Sequence, residues 1–506
     1  MPRNTDFTIK VRTTGQEWQE LPAYLVKVAR GINTHAEQGM EEEFKQARRS
    51  RSGASNPSMG QLDSSFATFD FSGSVDVSIT FNHRKIRSAR IRPLSYGITP
   101  IVKANTITFS LSQPRNLSVE INGDIFHNLQ LFANSIEDAK PNPSDPNVIF
   151  YGPGVHQIGR TTIASGTTVY LAGGALVEGA FLINHAENVR ILGRGILYQS
   201  NAGPGTGRLT RQNPQAKTPP QPATPEQATR SMRRDAILIE YSRNVEVDGI
   251  IEVPNTYTIL VGQSQHVTIR NIKSFSAGGN NDGIDVFTSS DVIIDGVFLR
   301  NSDDNIAIYG HRWNYYGDTK NVTVENSTLW ADVAHPILVG THGDSDNPDT
   351  LEDLKFLNLD ILDHNEKQID YQGCMSLNAG DDNLIRNVRF ENIRVEDFRV
   401  GQLVNLRVFY NRKYNTSPGR GIEGVLFKDI RYDGSHANLS IIAGYDDTRM
   451  IKDVVFQNLK VNRTLIWDGM AKPVWFKTSD MAGFFVGEHV DGLQFQASDV
   501  ATMNNK

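Results

Sequence analysis

From Val245 to Leu459 the chain keeps returning to one short pattern, and that recurrence leaves few folds open to it. Val245-Glu246-Val247-Asp248-Gly249-Ile250, Val267-Thr268-Ile269-Arg270-Asn271-Ile272 and Val292-Ile293-Ile294-Asp295-Gly296-Val297 stand in register, and further copies start at Val322, Leu354, Val388, Val425 and Val454. Each copy has two apolar residues two apart, the period of a strand. A Gly, Asn or Asp able to take a left-handed turn follows, and nearly all copies then add another apolar residue. No helical period runs through the region. Copies lie roughly 22 to 37 residues apart with the excess between them, which indicates coils of a solenoid with loops inserted at the corners. Stacked strands of this kind predict a parallel β-helix. An earlier copy, Val189-Arg190-Ile191-Leu192-Gly193, and the strand-like Thr168-Val169-Tyr170-Leu171 place its start near residue 150.

Before that point the pattern changes. Phe69 to Phe81 alternates apolar and polar with a break at Gly73, and shorter runs follow around Ile91, Ile107 and Val119. Strands separated by turn residues at short intervals predict an antiparallel β-sandwich. The all-β chain therefore divides into a sandwich over 1–148 and a β-helix over 149–506. Between Gly39 and Ser65 the chain reads as a mobile loop, whose basic run Arg48-Arg49-Ser50-Arg51 reads as solvated. The Pro-punctuated stretch 201–234 reads as an excursion from the β-helix.

Two copies of the repeat carry an excess of acid. Asn280-Asn281-Asp282-Gly283-Ile284-Asp285-Val286 is followed by Ser302-Asp303-Asp304-Asn305-Ile306-Ala307-Ile308. Aligning Ile284 and Val286 with Ile306 and Ile308, and with Ile337 and Val339, puts Asp282, Asp304 and His335 in one column on successive coils about 4.8 Å apart. Asp303 would project differently. Asp248, Asp295 and Asp429 occupy turn positions and read as turn caps. A doubled Asp is more than a turn needs. Like charges held this close cannot all ionise, so one carboxyl should stay protonated near neutral pH while its partners remain charged. An acid beside ionised carboxylates suits hydrolysis of a glycosidic bond, where one group protonates the leaving oxygen and others deprotonate water.

Asn-x-Asp-Gly, then Asp-Asp, then a His one coil further resembles glycoside hydrolase clan N: the polygalacturonases of family 28 and the dextranases and isopullulanases of family 49. The resemblance covers the chain from about 150 onward. Arg92-Pro93-Leu94-Ser95-Tyr96-Gly97-Ile98 and the segment from Arg115 to Asp124 are similar to the N-terminal sandwich of family 49. It implies a right-handed β-helix, hydrolysis with inversion, Asp303 as general acid, Asp282 and Asp304 as joint activators of water, and His335 in support of the acid and leaving group.

Polygalacturonases carry an Arg-Ile-Lys triplet one coil after the His, and here that region reads Gly373-Cys374-Met375-Ser376-Leu377-Asn378. A uronate facing that coil would bury an unpaired charge, which is costly. The expected substrate is therefore a neutral glycan such as dextran or another α-glucan, with a pectin-type polymer as the alternative. Sugars stack on flat apolar faces and bond polar groups at their edges. Candidate contacts are Asp285, the loop residues Tyr309, His311 and Trp313, then His342, Tyr371 and Asn378. Asp381-Asp382 is expected to be an exposed turn, with a sugar or cation site as the alternative.

A β-helix lyase would need a Lys or Arg base, often with calcium, and a purely glycan-binding solenoid has no use for the Asp column. No His-rich ligand set or phosphate-binding loop is evident, so no metal and no cofactor is expected. A net charge of -6 gives no support for nucleic-acid binding. No stretch would span a bilayer, so a polysaccharide or oligosaccharide is the expected partner, and oligomeric state is open. The resemblance implies a secreted or periplasmic protein, although the opening residues lack the apolar core of a signal, and a cytoplasmic place stays open. The lone Cys374 decides nothing about compartment.

Overall fold

The computed structural model describes residues 1–32, 59–83, 85–137, 140–199 and 235–498. Arg48–Arg51 and the Pro-punctuated stretch 201–234 lie outside them. The described residues fall into two units, one made of 1–32 and 59–145 and one beginning at 146.

The first unit holds two five-stranded sheets. One runs in the spatial order Gln19–Leu21, Phe7–Thr13, Val75–Phe81, Thr106–Leu111, Ile101–Lys103, and all its pairs are antiparallel. The other runs Tyr24–Ile32, Met59–Phe71, Asp124–Ser135, Arg115–Ile121, Ala89–Arg92. Alternation explains the packing: Ile9, Val77, Ile79 and Ile107 of one sheet share a core with Leu117, Val119, Leu129 and Leu131 of the other. Two expectations are corrected here. The long strand begins at Met59, so the loop read as reaching Ser65 ends earlier, and Met59–Phe71 pairs parallel with Asp124–Ser135 rather than antiparallel. Polar side chains hid this strand's start, because Ser64 bonds the buried Asn128.

The second unit is a right-handed parallel β-helix in which 31 strands join one continuous ladder that begins at Val148–Tyr151. The repeat aligned by sequence is the actual register: Val189, Val245, Val267, Val292, Val322, Leu354, Val388, Val425 and Val454 are successive partners. These residues point inward and fuse into one core. Phe356, Phe390, Phe427 and Phe456 stack one above another with ring centroids 4.6 to 4.8 Å apart. Each coil turns at a left-handed residue, and Asn suits the corner twice over. Asn326, Asn358 and Asn392 tolerate φ near +50°, and their amides bond from coil to coil, Asn358 to Asn326 at 2.7 Å and Asn392 to Asn358 at 3.2 Å. Asp248 and Asp295 accept from the same ladder, as turn residues should. Among the described residues no helix is long and apolar enough to cross a membrane.

Candidate active site

One face of the β-helix carries the strands Ile284–Phe287, Ile306–Tyr309, Ile337–Gly340, Met375–Ala379 and Val404–Val408 as successive rungs. Ile284, Ile306, Ile337, Met375 and Val404 stand in line. Those residues and their i+2 neighbours feed the core. The intervening positions face out in two columns: Asp285, Ala307, Leu338, Ser376 and Asn405, then Phe287, Tyr309, Gly340, Asn378 and Arg407. Asp282, Asp304 and His335 each precede their strand by two residues, so the predicted column exists. The turns bearing them are tied by backbone bonds from Gly283 N to Asp304 O and from Asn305 N to His335 O, both 2.8 Å. Gly283 is required, because a Cβ there would run into the Asn305 carbonyl. Beneath the turns a buried polar bed fixes their path: Asn301 donates to Thr258, Ser274 and Ser276, and Ser276 donates to the Asn281 carbonyl.

One carboxyl oxygen from each of Asp282, Asp303 and Asp304 lies within 4.8 Å of the others, a spacing that a cation could also bridge. Asp303 is the partly exposed member, while Asp282 and Asp304 are 6% exposed. Burial, then the charges of Asp304 and Glu366, push Asp303 up to about 8 against the pull of His335. Burial, then Asp285, Asp303 and Asp304, hold Asp282 well above the usual carboxylate range, with Arg312 pulling the other way. Asp285 is likewise raised, by burial and then by Asp304, and neither of its oxygens has a hydrogen-bond partner. It sits on the sheet face with the acids, in register with Ala307.

His335 is fully buried and has an acceptor at each ring nitrogen: Asp304 Oδ1 lies 2.7 Å from Nδ1, and the Tyr371 carbonyl accepts from Nε2. Two acceptors require two N–H groups. Burial opposes the charge, but Asp304, by its charge and its hydrogen bond, and Glu366 outweigh it and lift the imidazole to about 9. Its direct hydrogen bonds are to Asp304 and Tyr371, and it acts on the acid Asp303 through its charge. Tyr371 serves through its backbone, and its ring packs on Tyr414 at 4.5 Å and edge-on to His335 at 4.8 Å.

The remaining expected contacts are brought near but are largely committed to packing. Tyr309 stacks on Phe287 at 5.2 Å and meets His342 edge-on at 5.1 Å. Burial, then Arg312, hold His342 well below the usual imidazole range. Trp313 is half-buried, edge-on to Phe287 at 5.4 Å with the Arg312 guanidinium 4.8 Å away. His311 is committed to its own loop, its Nδ1 lying 2.7 Å from the Tyr315 carbonyl and its ring 4.2 Å from that of Tyr316. Asn378 faces outward but is buried and donates to Asn405. Asp381-Asp382 is not an exposed turn. Asp381 is buried and takes the Thr416 and Ser417 amides, and Asp382 takes the Ser417 hydroxyl at 2.8 Å and pairs with Arg449, so both anchor the 409–419 loop.

Several residues on the same face or beside the acids escaped the sequence reading. Arg407 stands in register with Asn378, one coil beyond the one searched for a cation. Lys413 Nζ donates to Gln368 Oε1 at 2.7 Å, and burial lowers its pKa against the raising charges of Glu366 and Asp303. The stretch 373–378 itself holds no cation, as read, and Arg407 and Lys413 come from the coil after it. Extending the register one coil would have found Arg407. Glu366, Lys413 and Tyr414 sit on irregular loops that no period locates. Glu366 is set beside His335 because Ala334 pairs with Asn365.

Residues 221–465 match the family described as Glycosyl hydrolases family 28. Dex49A from Penicillium minioluteum has the same fold, with a TM-score of 0.56 at 12% identity over 98% of this chain and 94% of that one. The chain has the layout of a clan N glycoside hydrolase. Within that layout its sequence is similar to the probable endo-xylogalacturonan hydrolase A of Aspergillus fumigatus, 25% identical over 41% of this chain and 52% of the relative. The protein of the same name from Neosartorya fischeri is 29% identical over 32% and 39%. The chain thus spans about half the length of the curated relatives it matches, or less.

Proposed function

We propose that the chain hydrolyses glycosidic bonds of a polysaccharide, with Asp303 as the general acid. The observation that carries this reading is a carboxyl pushed up to about 8 and partly open to solvent, grouped with two others. At neutral pH Asp303 holds a proton to give to the leaving oxygen as the C–O bond breaks. Asp304, paired with the His335 imidazolium, takes the proton of a water at the anomeric carbon, and Asp282 helps to orient that water. His335, as imidazolium, fixes Asp304 through one oxygen and leaves the other for water.

Two carboxyls this close would by themselves suit a retaining double displacement, in which they stand ~5–5.5 Å apart. The third carboxyl supports inversion, because Asp282 and Asp304 together can hold water where a nucleophile would otherwise stand. Proton NMR of the first product decides: the anomer opposite to the substrate's is expected, and the same anomer would establish the retaining route.

The substrate we propose carries uronates, as in a pectin-type polymer. Arg407 and Lys413 offer charge on the C-terminal side of the acids, and the curated relatives are named for xylogalacturonan. A neutral α-glucan is the second reading, supported by the uncharged Met375–Ala379 strand and the fold shared with Dex49A. A reducing-sugar screen over polygalacturonate, xylogalacturonan, dextran, pullulan, arabinan and galactan separates the two. Release from dextran alone would sink the uronate reading, and an unsaturated, ultraviolet-absorbing product would replace hydrolysis by elimination.

A further inference from the structure

The active-site face does not run open toward its N-terminal rungs. Strands Ile237–Glu240 and Ile259–Gly262 extend it, with Leu238, Leu260 and Asp285 in one column and Glu240, Gly262 and Phe287 in the other. Over these rungs the loop 310–316 folds back. Tyr315 lies directly on Gly262, where even a Cβ would fall well inside contact distance of its ring carbons. Its hydroxyl donates to the buried Glu240 carboxylate at 2.9 Å. From the sheet side Tyr241 donates to the Asn314 carbonyl at 3.1 Å, and its ring lies 5.5 Å from that of Tyr315. Trp313 fills the next space, edge-on to Phe287 and 6.4 Å from Tyr257.

The loop is also braced within itself. Arg312 and Tyr315 exchange backbone bonds at 3.1 Å, and the His311 amide donates to Asp349 at 2.8 Å. Loop packing alone needs only apolar contact. Here two phenol hydroxyls and a glycine cut to fit hold the loop down on the sheet. Leu238, Leu260 and Tyr315 are left 2% exposed or less, so no sugar can lie along those rungs.

We propose that loop 310–316 dams the cleft beside Asp282 and makes the protein exo-acting, so that one end of the polysaccharide abuts Tyr315 and Trp313. This inference rests on the hydrolase reading above. Rungs lie about 4.8 Å apart, and the closed Gly262 rung is one from the Asp282 strand and two from the Asp303-Asp304 strand. That leaves roughly 5–10 Å between the dam and the acids, room for about one or two sugar units. The mode is opposite to the endo action in the names of the curated relatives.

The experiment follows viscosity, reducing ends and product length together on whichever polysaccharide the screen finds to be cut. Reducing ends should accumulate while viscosity stays high, with mono- or disaccharide as the earliest product. Among oligosaccharides blocked at one end or the other, one of the two kinds should resist cleavage. Tyr315→Ala should open the rung and yield longer early products, while Tyr315→Phe, which keeps the ring on Gly262, should keep them short. If Tyr315→Ala does not fold, the blocked oligosaccharides with the unaltered protein still decide. An early collapse of viscosity with a ladder of products would overturn the dam and leave the hydrolase reading intact. Failure to cut any polysaccharide would overturn that reading itself.

Discussion

Asp303 owes its chemistry to its neighbours, since an isolated Asp would be ionised at neutral pH. Replacing it with Asn keeps the shape and removes the proton, so turnover should fall by ~10²–10⁴-fold with little change in thermal midpoint. Retained activity in Asp303→Asn would end the mechanism. The acid works only while protonated, so kcat/KM should decline as pH rises through about 8, and a profile flat to higher pH would assign the proton to another group. His335 makes a separate statement about stability. Its folded value of about 9 lies above the ordinary 6.5, so its contribution is complete below 6.5 and is lost as pH rises through about 9. Urea midpoints of the parent protein should drop over that window, and those of His335→Gln should drop less.

At the scale of elements, the turn that delivers His335 hangs on a buried ionic knot. Asp332 is fully buried and takes Arg300 Nε at 2.9 Å and Arg399 Nη2 at 3.1 Å, Arg399 reaches on to Asp363 at 2.6 Å, and Arg300 lies over Trp330. Asp332→Ala would remove the carboxylate that Arg300 and Arg399 share, Arg399 keeping Asp363, and unfolding by denaturant should show a loss of ~3–5 kcal/mol. A loss under about 1 kcal/mol would mean that water or another carboxylate reaches the knot.

None of this knot was legible in the sequence, because its members sit at the ends of different coils. The Asp282, Asp304 and His335 column was legible, since all three hang at one offset from a repeating apolar pair. The tie from His335 to the Tyr371 carbonyl was not, because residues 364–374 follow no period and a backbone acceptor leaves no mark on residue type. The same irregularity hid Glu366 and Lys413. The long Met59–Phe71 strand was misjudged at its start because polar residues open it, and one of them, Ser64, is buried against Asn128 instead of facing water.

Over the whole molecule, the two units each have their own core, one between sandwich sheets and one running through the coils from Ile163 to Phe495. Calorimetry should therefore resolve two transitions, the larger belonging to the β-helix, and a single two-state transition would show that the units melt as one. The β-helix also separates frame from loops: rungs repeat in strict register, and chemistry enters where corners are lengthened. Gly262 shows how far that separation goes. Tyr315 can settle because a strand two coils earlier lacks a single carbon atom, so the choice between nibbling chain ends and cutting chains in the middle would be written in the frame. A lineage could change its diet by gaining or losing one methyl group there, with every acid left where it stands.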